Sequence, residues 1–400
     1  MHPQVDIVRT STPIGSTATT GSHIVRPLAR TLLEDQLPMR LSTAAALFSV
    51  LTSVLTSAGC LGEVGSERKP STGSDEPPAM MTPATPAPLP AGACAKVEKP
   101  VTIRVPADME LLPRTGCYDI VGKLTIQSAQ ITSLAALRGL KSVSELELDY
   151  TALTTLDLEQ PLNLYGPLRV TNNLVLRDLK QLQFATPPSS IVIDHNAALT
   201  TLDPFLAWAV PLTEVNGDLT ITDNGALAQV MMPNVTRVAG VLTVAGNAAV
   251  AAVDLSRLAT THGIELADNP LLTSITGLAA TEIAGDLAIR NNAKLAAIGT
   301  MGALVHVAGN VTIDSNAALV DLKAFTIAMK TIGQALTVTN NPSLVDLGML
   351  KHLDSISAIT IANNRNLVVC RAIEVDGCVV HAVTSHLENN RGGNCNSSCD

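Results

Sequence analysis

One short pattern, repeated between Leu168 and Leu367, constrains the fold of this chain more than any other feature. It runs apolar, any residue, β-branched or Leu, any two residues, Asn, any two residues, then Leu or Val. The asparagines are Asn173, Asn196, Asn224, Asn247, Asn269, Asn292, Asn316, Asn341 and Asn364, at intervals of 22 to 28 residues. Around Asn292 the apolar positions are Leu287, Ile289, Leu295 and Ile298; around Asn341 they are Leu336, Val338, Leu344 and Leu347. A period this short excludes helical-hairpin repeats and suits one strand plus a return path per unit.

The alternation before each Asn predicts a half-buried strand with two inward side chains. Asn is then expected at the corner itself, because its side chain tolerates left-handed backbone and bonds nearby backbone groups. When identical turns stack, such amides can bond from coil to coil as a structural ladder. One coil cannot bury its apolar face alone, so the coils must stack. Two earlier units, Leu124 to Ile126 around Ala129 and Leu146 to Leu148 around Thr151, lack the Asn and read as atypical end units. The expected fold is therefore mainly all-β, a parallel solenoid of about eleven coils, ~50 Å long at one strand spacing per coil.

Segments such as GDLTITDNGAL (217–227), GDLAIRNNAKL (285–295) and LTVTNNPSL (336–344) carry a further likeness. They resemble the receptor L-domain family, whose leucine-rich coils form ligand-binding lobes of insulin-type and epidermal-growth-factor-type receptors. The resemblance covers roughly Cys117 to Cys378 and implies a right-handed parallel β-helix. It implies no particular ligand.

Hydrophobic residues make up 46% of the chain but aromatic ones only 2%. Thin solenoid cores filled by Leu, Ile, Val and Ala fit that balance. A net charge of −9 leaves no basic stripe for phosphates, which argues against nucleic acid as a partner. The cysteines, Cys60, Cys94, Cys117, Cys370, Cys378, Cys395 and Cys399, avoid the repeats and flank them, as pinned ends do in an oxidising compartment. A Cys94 to Cys117 disulfide would cover the first coil beside a capping strand at Val101 to Val105. Cys370 with Cys378 and Cys395 with Cys399 are proximity pairings among the fifteen that six cysteines allow.

Residues 1–38 are Ser/Thr-rich without periodicity and are expected to be disordered or untranslated. At Met39-Arg40 a positive start leads into an apolar run from Leu41 to Gly59 that ends Ser-Ala-Gly-Cys60. Residues 39–60 look like a bacterial lipoprotein signal, with Cys60 as the lipidated residue and Met39 as the start. The run is also long enough for a membrane helix, although its Ser and Thr content suits one poorly. Residues 61–93 are a Pro/Ser/Thr-rich tether, residues 94–380 the solenoid, and residues 381–400 a Cys-containing cap. Such caps look like those of predicted lipoproteins from soil δ-proteobacteria, the myxobacteria-like group, that carry the same repeats.

Outward strand positions lie four and two residues before each Asn, where threonines dominate and carboxylates sit near arginines. Asp314 shares a column with Arg290, Glu265 is diagonal to Arg290, and Asp194 is diagonal to Arg169. Clustered carboxylates on such a face are what β-helix enzymes acting on acidic polysaccharides use, but here they are dispersed with no Asp-Asp pair in register. The pairs Thr220/Thr222 and Thr337/Thr339 resemble an ice-binding array interrupted by charges, which strand propensity also explains. The widest interval holds a Pro-bounded insertion with Phe205 and the sole Trp, Trp208. Its rings either contact a ligand, together with Thr220 and Thr222, or fold back on the coils. His195, His262, His306, His352, His381 and His386 show no paired metal spacing, and no metal or cofactor is expected. The expected function is a non-enzymatic recognition or adhesion module of the cell envelope, an outer-membrane lipoprotein held by a lipid anchor, with a protein or glycan ligand. The alternatives are a structural spacer and, remotely, a β-helix polysaccharide enzyme.

Overall fold

Each Leu-x-Ile segment becomes a short strand, and the strands stack in parallel and in register. Leu287–Arg290 pairs with Ile264 to Ala267 on one side and with Val311–Asp314 on the other, residue for residue. The same registration runs from Leu146 through Leu168, Ile191, Leu219, Leu242, Ile264, Leu287, Val311 and Leu336 to Ile359. The computed structural model describes residues 93–158, 160–180, 182–202, 212–326, 328–348, 353–368 and 384–391. These form a parallel β-solenoid of about eleven turns with almost no helix, the short 3-10 segments Pro106–Leu111 and Ala135–Leu137 excepted. No helix among the described residues is long and apolar enough to cross a membrane. Cys60, Phe205, Trp208, Cys370, Cys378, Cys395 and Cys399 lie outside the described residues, as does the apolar run before Cys60.

One coil shows how the sequence makes the path. The strand Leu287–Arg290 ends at Asn291, which takes the left-handed conformation with φ 56. Asn292 then opens a four-residue turn closed by Leu295 N–H donating to the Asn292 carbonyl at 3.1 Å. A second short strand, Ala297–Ile298, a return segment and a third, His306–Val307, lead to the next coil. The second strands of successive coils, Gln229–Met231, Ala252–Asp254, Ser274–Thr276 and Ala297–Ile298, build a sheet of their own. Four apolar columns, five and three residues before each Asn and three and six after it, converge on one core; Leu287, Ile289 and Leu295 are 0% exposed.

The left-handed corner corrects the sequence reading. It falls one residue before the ladder position, at Asn172, His195, Asp223, Asp268, Asn291, Ser315, Asn340 and Asn363, with Gly246 in the same column. That conformation favours Gly, Asn and Asp, which supply most of this column, although His195, Ser315 and, before Thr151, Tyr150 (φ 51) adopt it too. The ladder Asn is thereby freed to turn its side chain inward.

Both ends continue the pattern. Ala95–Val97 and Val101–Ile103 pair in parallel with Tyr118–Gln127, and a Cys94–Cys117 disulfide joins the two segments. At the far end Thr384–Glu388 pairs along its length with Ala358–Ala362, so the stack runs past the boundary expected at residue 380.

Candidate functional site

The buried amides are the first polar constellation to place. Every ladder Asn from Asn173 to Asn364 is 0% exposed. Asn292 Nδ2 donates to the Leu266 carbonyl of the preceding coil at 2.9 Å and to Asn316 Oδ1 of the following one at 3.3 Å. Its Oδ1 accepts from Asn269 N–H at 3.2 Å and from Asn269 Nδ2 at 3.4 Å. The carboxamide thus ties off the donor and the acceptor that each strand leaves where its ladder ends. Thr151 substitutes at the first position, its N–H and Oγ1 donating to Asn173 Oδ1 at 2.9 and 2.6 Å. Asn390, which the spacing did not reveal, accepts from Asn364 N–H at 3.1 Å and extends the ladder. This column is structural and closed to any ligand.

On the outer face the carboxylates are mostly occupied. Asp149 accepts from Gln127 Nε2, Thr171 Oγ1 and Asn172 Nδ2 at 2.9, 2.8 and 2.9 Å. Burial pushes its pKa up, but those hydrogen bonds outweigh burial and leave it below the usual carboxylate range. Asp314 repeats the clamp, accepting from Thr339 Oγ1, from Asn340 Nδ2 at 2.8 Å and from Ser315 Oγ at 2.9 Å. Asp194 accepts from Thr222 Oγ1 at 2.5 Å. Thr222, expected as a ligand contact, therefore spends its hydroxyl on Asp194, while neighbouring Thr220 stays half-buried on the strand. The diagonal pair of Asp194 with Arg169 does not form: Arg169 instead reaches Glu147 at 3.6 Å, the residue directly before it in its own column. Glu265 and Arg290 do pair across the diagonal.

His195, at a left-handed corner, places Nδ1 2.8 Å from Asp194 Oδ2 and Nε2 3.9 Å from Asp223 Oδ2. These atoms lie within 4.8 Å of one another, a spacing that could suit a cation. Both ring nitrogens, however, already face carboxylates, so the cluster is satisfied as a histidine held between anions. The hydrogen bond to Asp194 and its charge raise the histidine pKa above the ordinary range.

The concavity that remains open lies at the corner before the main strands. It measures about 630 Å³ and crosses four coils, from His262 and Gly263 through Gly285 and Asp286, then Gly309 and Asn310, to Gln334. Its floor is backbone because this corner excludes side chains. A Cβ on Gly309 would meet Asp286 Oδ1 at 2.1 Å and the Gly285 carbonyl oxygen at 2.7 Å, and one on Gly285 the His262 carbonyl oxygen at 2.9 Å. One wall is a polar chain: Asp286 Oδ1 accepts from Asn310 N–H at 2.7 Å, and Asn310 Nδ2 donates to Gln334 Oε1 at 3.1 Å. The other wall carries Glu265, Ala288, Arg290 and Thr312. A second concavity of about 690 Å³ lies over Asn340, Asn363 and Asn389, where Asn389 Nδ2 donates to Asn363 Oδ1 at 2.9 Å.

Sequence reasoning missed the groove because it arises from residues that are absent, a column of Gly and Ala, rather than from a motif. A scan against protein-family models and searches of curated proteins and of solved structures found no match to this chain.

Proposed function

We propose that this protein is a non-enzymatic recognition or adhesion module of the cell envelope, built like a receptor L-domain and held to a membrane through a lipid on Cys60. The observation that supports it best is the open, polar-walled groove on a rigid stack of coils. Such a scaffold offers a preformed surface with little ordering cost on binding. Against an enzyme stands the use of the outer carboxylates: Asp149, Asp194 and Asp314 each bind Thr hydroxyls of the next coil, and no two of them pair in register. Asp194→Asn combined with Asp314→Asn should change local pairing and the proton affinity of His195, and leave attachment unaltered. Turnover of acidic glycans that this double change abolishes would replace the reading with a hydrolase or lyase.

The anchoring half is tested by labelling with a fatty-acid analogue in the producing cells. Label retained on the wild type and lost in Cys60→Ala supports it; an unlabelled wild type refutes it. The recognition half is tested by measuring attachment of the labelled protein to envelope fragments. Saturable attachment is expected, and none at all would favour a spacer.

A further inference from the structure

The groove over Gly263, Gly285 and Gly309 differs from the rest of the outer face in one respect that decides what it can hold: its hydrogen-bonding groups are not used up. Among the described residues, Asp286 is engaged only through Oδ1 and Gln334 only through Oε1. Arg290 gives Nη2 to Glu265 and has further N–H groups on the groove side. No protein hydrogen bond is present at the Thr312 hydroxyl or the His262 ring among those residues. The clamps around Asp149, Asp194 and Asp314, by contrast, are closed. From this geometry we infer that the groove is a binding site for a linear, uncharged oligosaccharide lying along the stack of coils. The inference rests on the recognition reading above and names its ligand class.

Three features select that class. Charge is the first: Glu265 and Asp286 outnumber Arg290, and Asp268 and Asp314 flank it. An acidic polysaccharide or a nucleic acid would meet like charge, with the one cation already paired. The second is the lining, which holds no Phe, Tyr or Trp and no large exposed apolar side chain. A peptide or an apolar molecule would find no pocket for an anchor residue, whereas a chain of hydroxyl groups needs only donors and acceptors. The third is direction. The groups repeat once per coil, so from His262 to Gln334 they span about 14 Å at one strand spacing per step, the reach of a short unbranched chain. The free end of each planar group, Asp286 Oδ2, the Gln334 amide nitrogen and the remaining Arg290 N–H groups, can engage a hydroxyl, and the backbone floor lets the sugar approach closely.

The test is calorimetric titration of the full chain with cellotriose, laminaritriose, maltotriose and tri-N-acetylchitotriose, with trigalacturonate as the charged control. At least one neutral trisaccharide should bind and trigalacturonate should not. Ala288→Leu, which fills the groove from a half-buried outward position, and Gln334→Ala combined with Arg290→Gln should each weaken binding by about tenfold or more. Unchanged melting curves for these variants separate loss of the site from loss of the fold. The inference fails if no neutral sugar binds at about 10 mM, if trigalacturonate binds as well as they do, or if the groove variants bind like the wild type. Attachment to envelope fragments, measured on the same variants, keeps the two readings apart. Attachment that persists in groove-filled protein overturns this site alone, and absence of attachment in the wild type overturns recognition itself. Binding of envelope peptides in place of sugars would also overturn it.

Discussion

Asn292 shows what a single ladder residue does. Replacing it by Ala strands the Leu266 carbonyl and the Asn269 N–H, two buried backbone groups with no water to turn to. The expected cost is roughly 2 to 4 kcal/mol at the common penalty per unsatisfied group, measured as lost hydrogen-exchange protection in the flanking coils. Asn173→Ala should cost as much, since Thr151 uses Asn173 Oδ1 fully and Asn173 Nδ2 donates to the Leu148 carbonyl. Asn390, half-buried at the far end, should cost less; equal and negligible losses at all three sites would mean that the amides stabilise nothing. Tyr118 is the opposite case. The residue is 0% exposed, its hydroxyl has no partner among the described residues, and burial lifts its pKa to about 12. Tyr118→Phe should be neutral or stabilising by up to about 1 kcal/mol, because it removes an unpaid desolvation. A loss above that in thermal melts would reveal a partner for the hydroxyl. At His195 the folded state holds the proton above the ordinary histidine range. That contribution to stability is complete at pH below the ordinary range and disappears as pH rises through the raised value. NMR titration should find the raised value, and Asp194→Asn should lower it; no change in the variant would remove Asp194 as its cause.

Among the elements, the corners carry sharper steric limits than the strands. A Cβ on Gly333 would meet the Ala308 carbonyl oxygen at 2.1 Å and carbon at 2.9 Å, all backbone, whereas one on Gly225 would find its nearest neighbour at 3.9 Å. Gly333→Ala should therefore destabilise by about 1 to 3 kcal/mol as an overpacked site, while Gly225→Ala should be near neutral. Similar melting temperatures for the two would show that the corner yields. Removing the Cys94–Cys117 disulfide, which closes a separation of 23 residues, should cost about 3 kcal/mol on the chain-entropy account and loosen the first coil before the rest. These elements also show where reading the sequence works and where it stops. The apolar columns and the Asn ladder were legible because register keeps one residue type at one place for nine consecutive coils, from Asn173 to Asn364. The left-handed residue was misplaced by one position, since Asn suits both the corner and the ladder and only stacking decides between them. Asn390 was hidden because its strand, Thr384–Glu388, carries Ser385 in register with Ile359, where the preceding coils have an aliphatic residue. The groove could not be read at all: Gly285 and Gly309 each stand seven residues before their ladder Asn, as Gly217 and Gly240 do, but that offset does not show an open corner until the coils are stacked.

For the solenoid as a whole, each coil touches only its two neighbours, so stability is a sum of coils and interfaces rather than one indivisible quantity. Unfolding of such an array departs from a two-state transition. The ladder gives this a mechanical consequence. The bonds between coils run along the stack, and force applied through the chain ends would load them one interface after another, as a zipper is opened, rather than all together in shear. Every Asn offers the same groups to the coil behind it, so peeling the terminal coil exposes an end equivalent to the one just lost. In single-molecule pulling the stack should lengthen in small repeated steps. A coil of 23 residues, as between Asn269 and Asn292, releases up to roughly 75 Å of extended chain less one strand spacing. Force that fell to zero in one rupture would mean the coils hold together as a block; a ladder of near-equal peaks would make the chain an extensible element that gives way by measured lengths and can rewind.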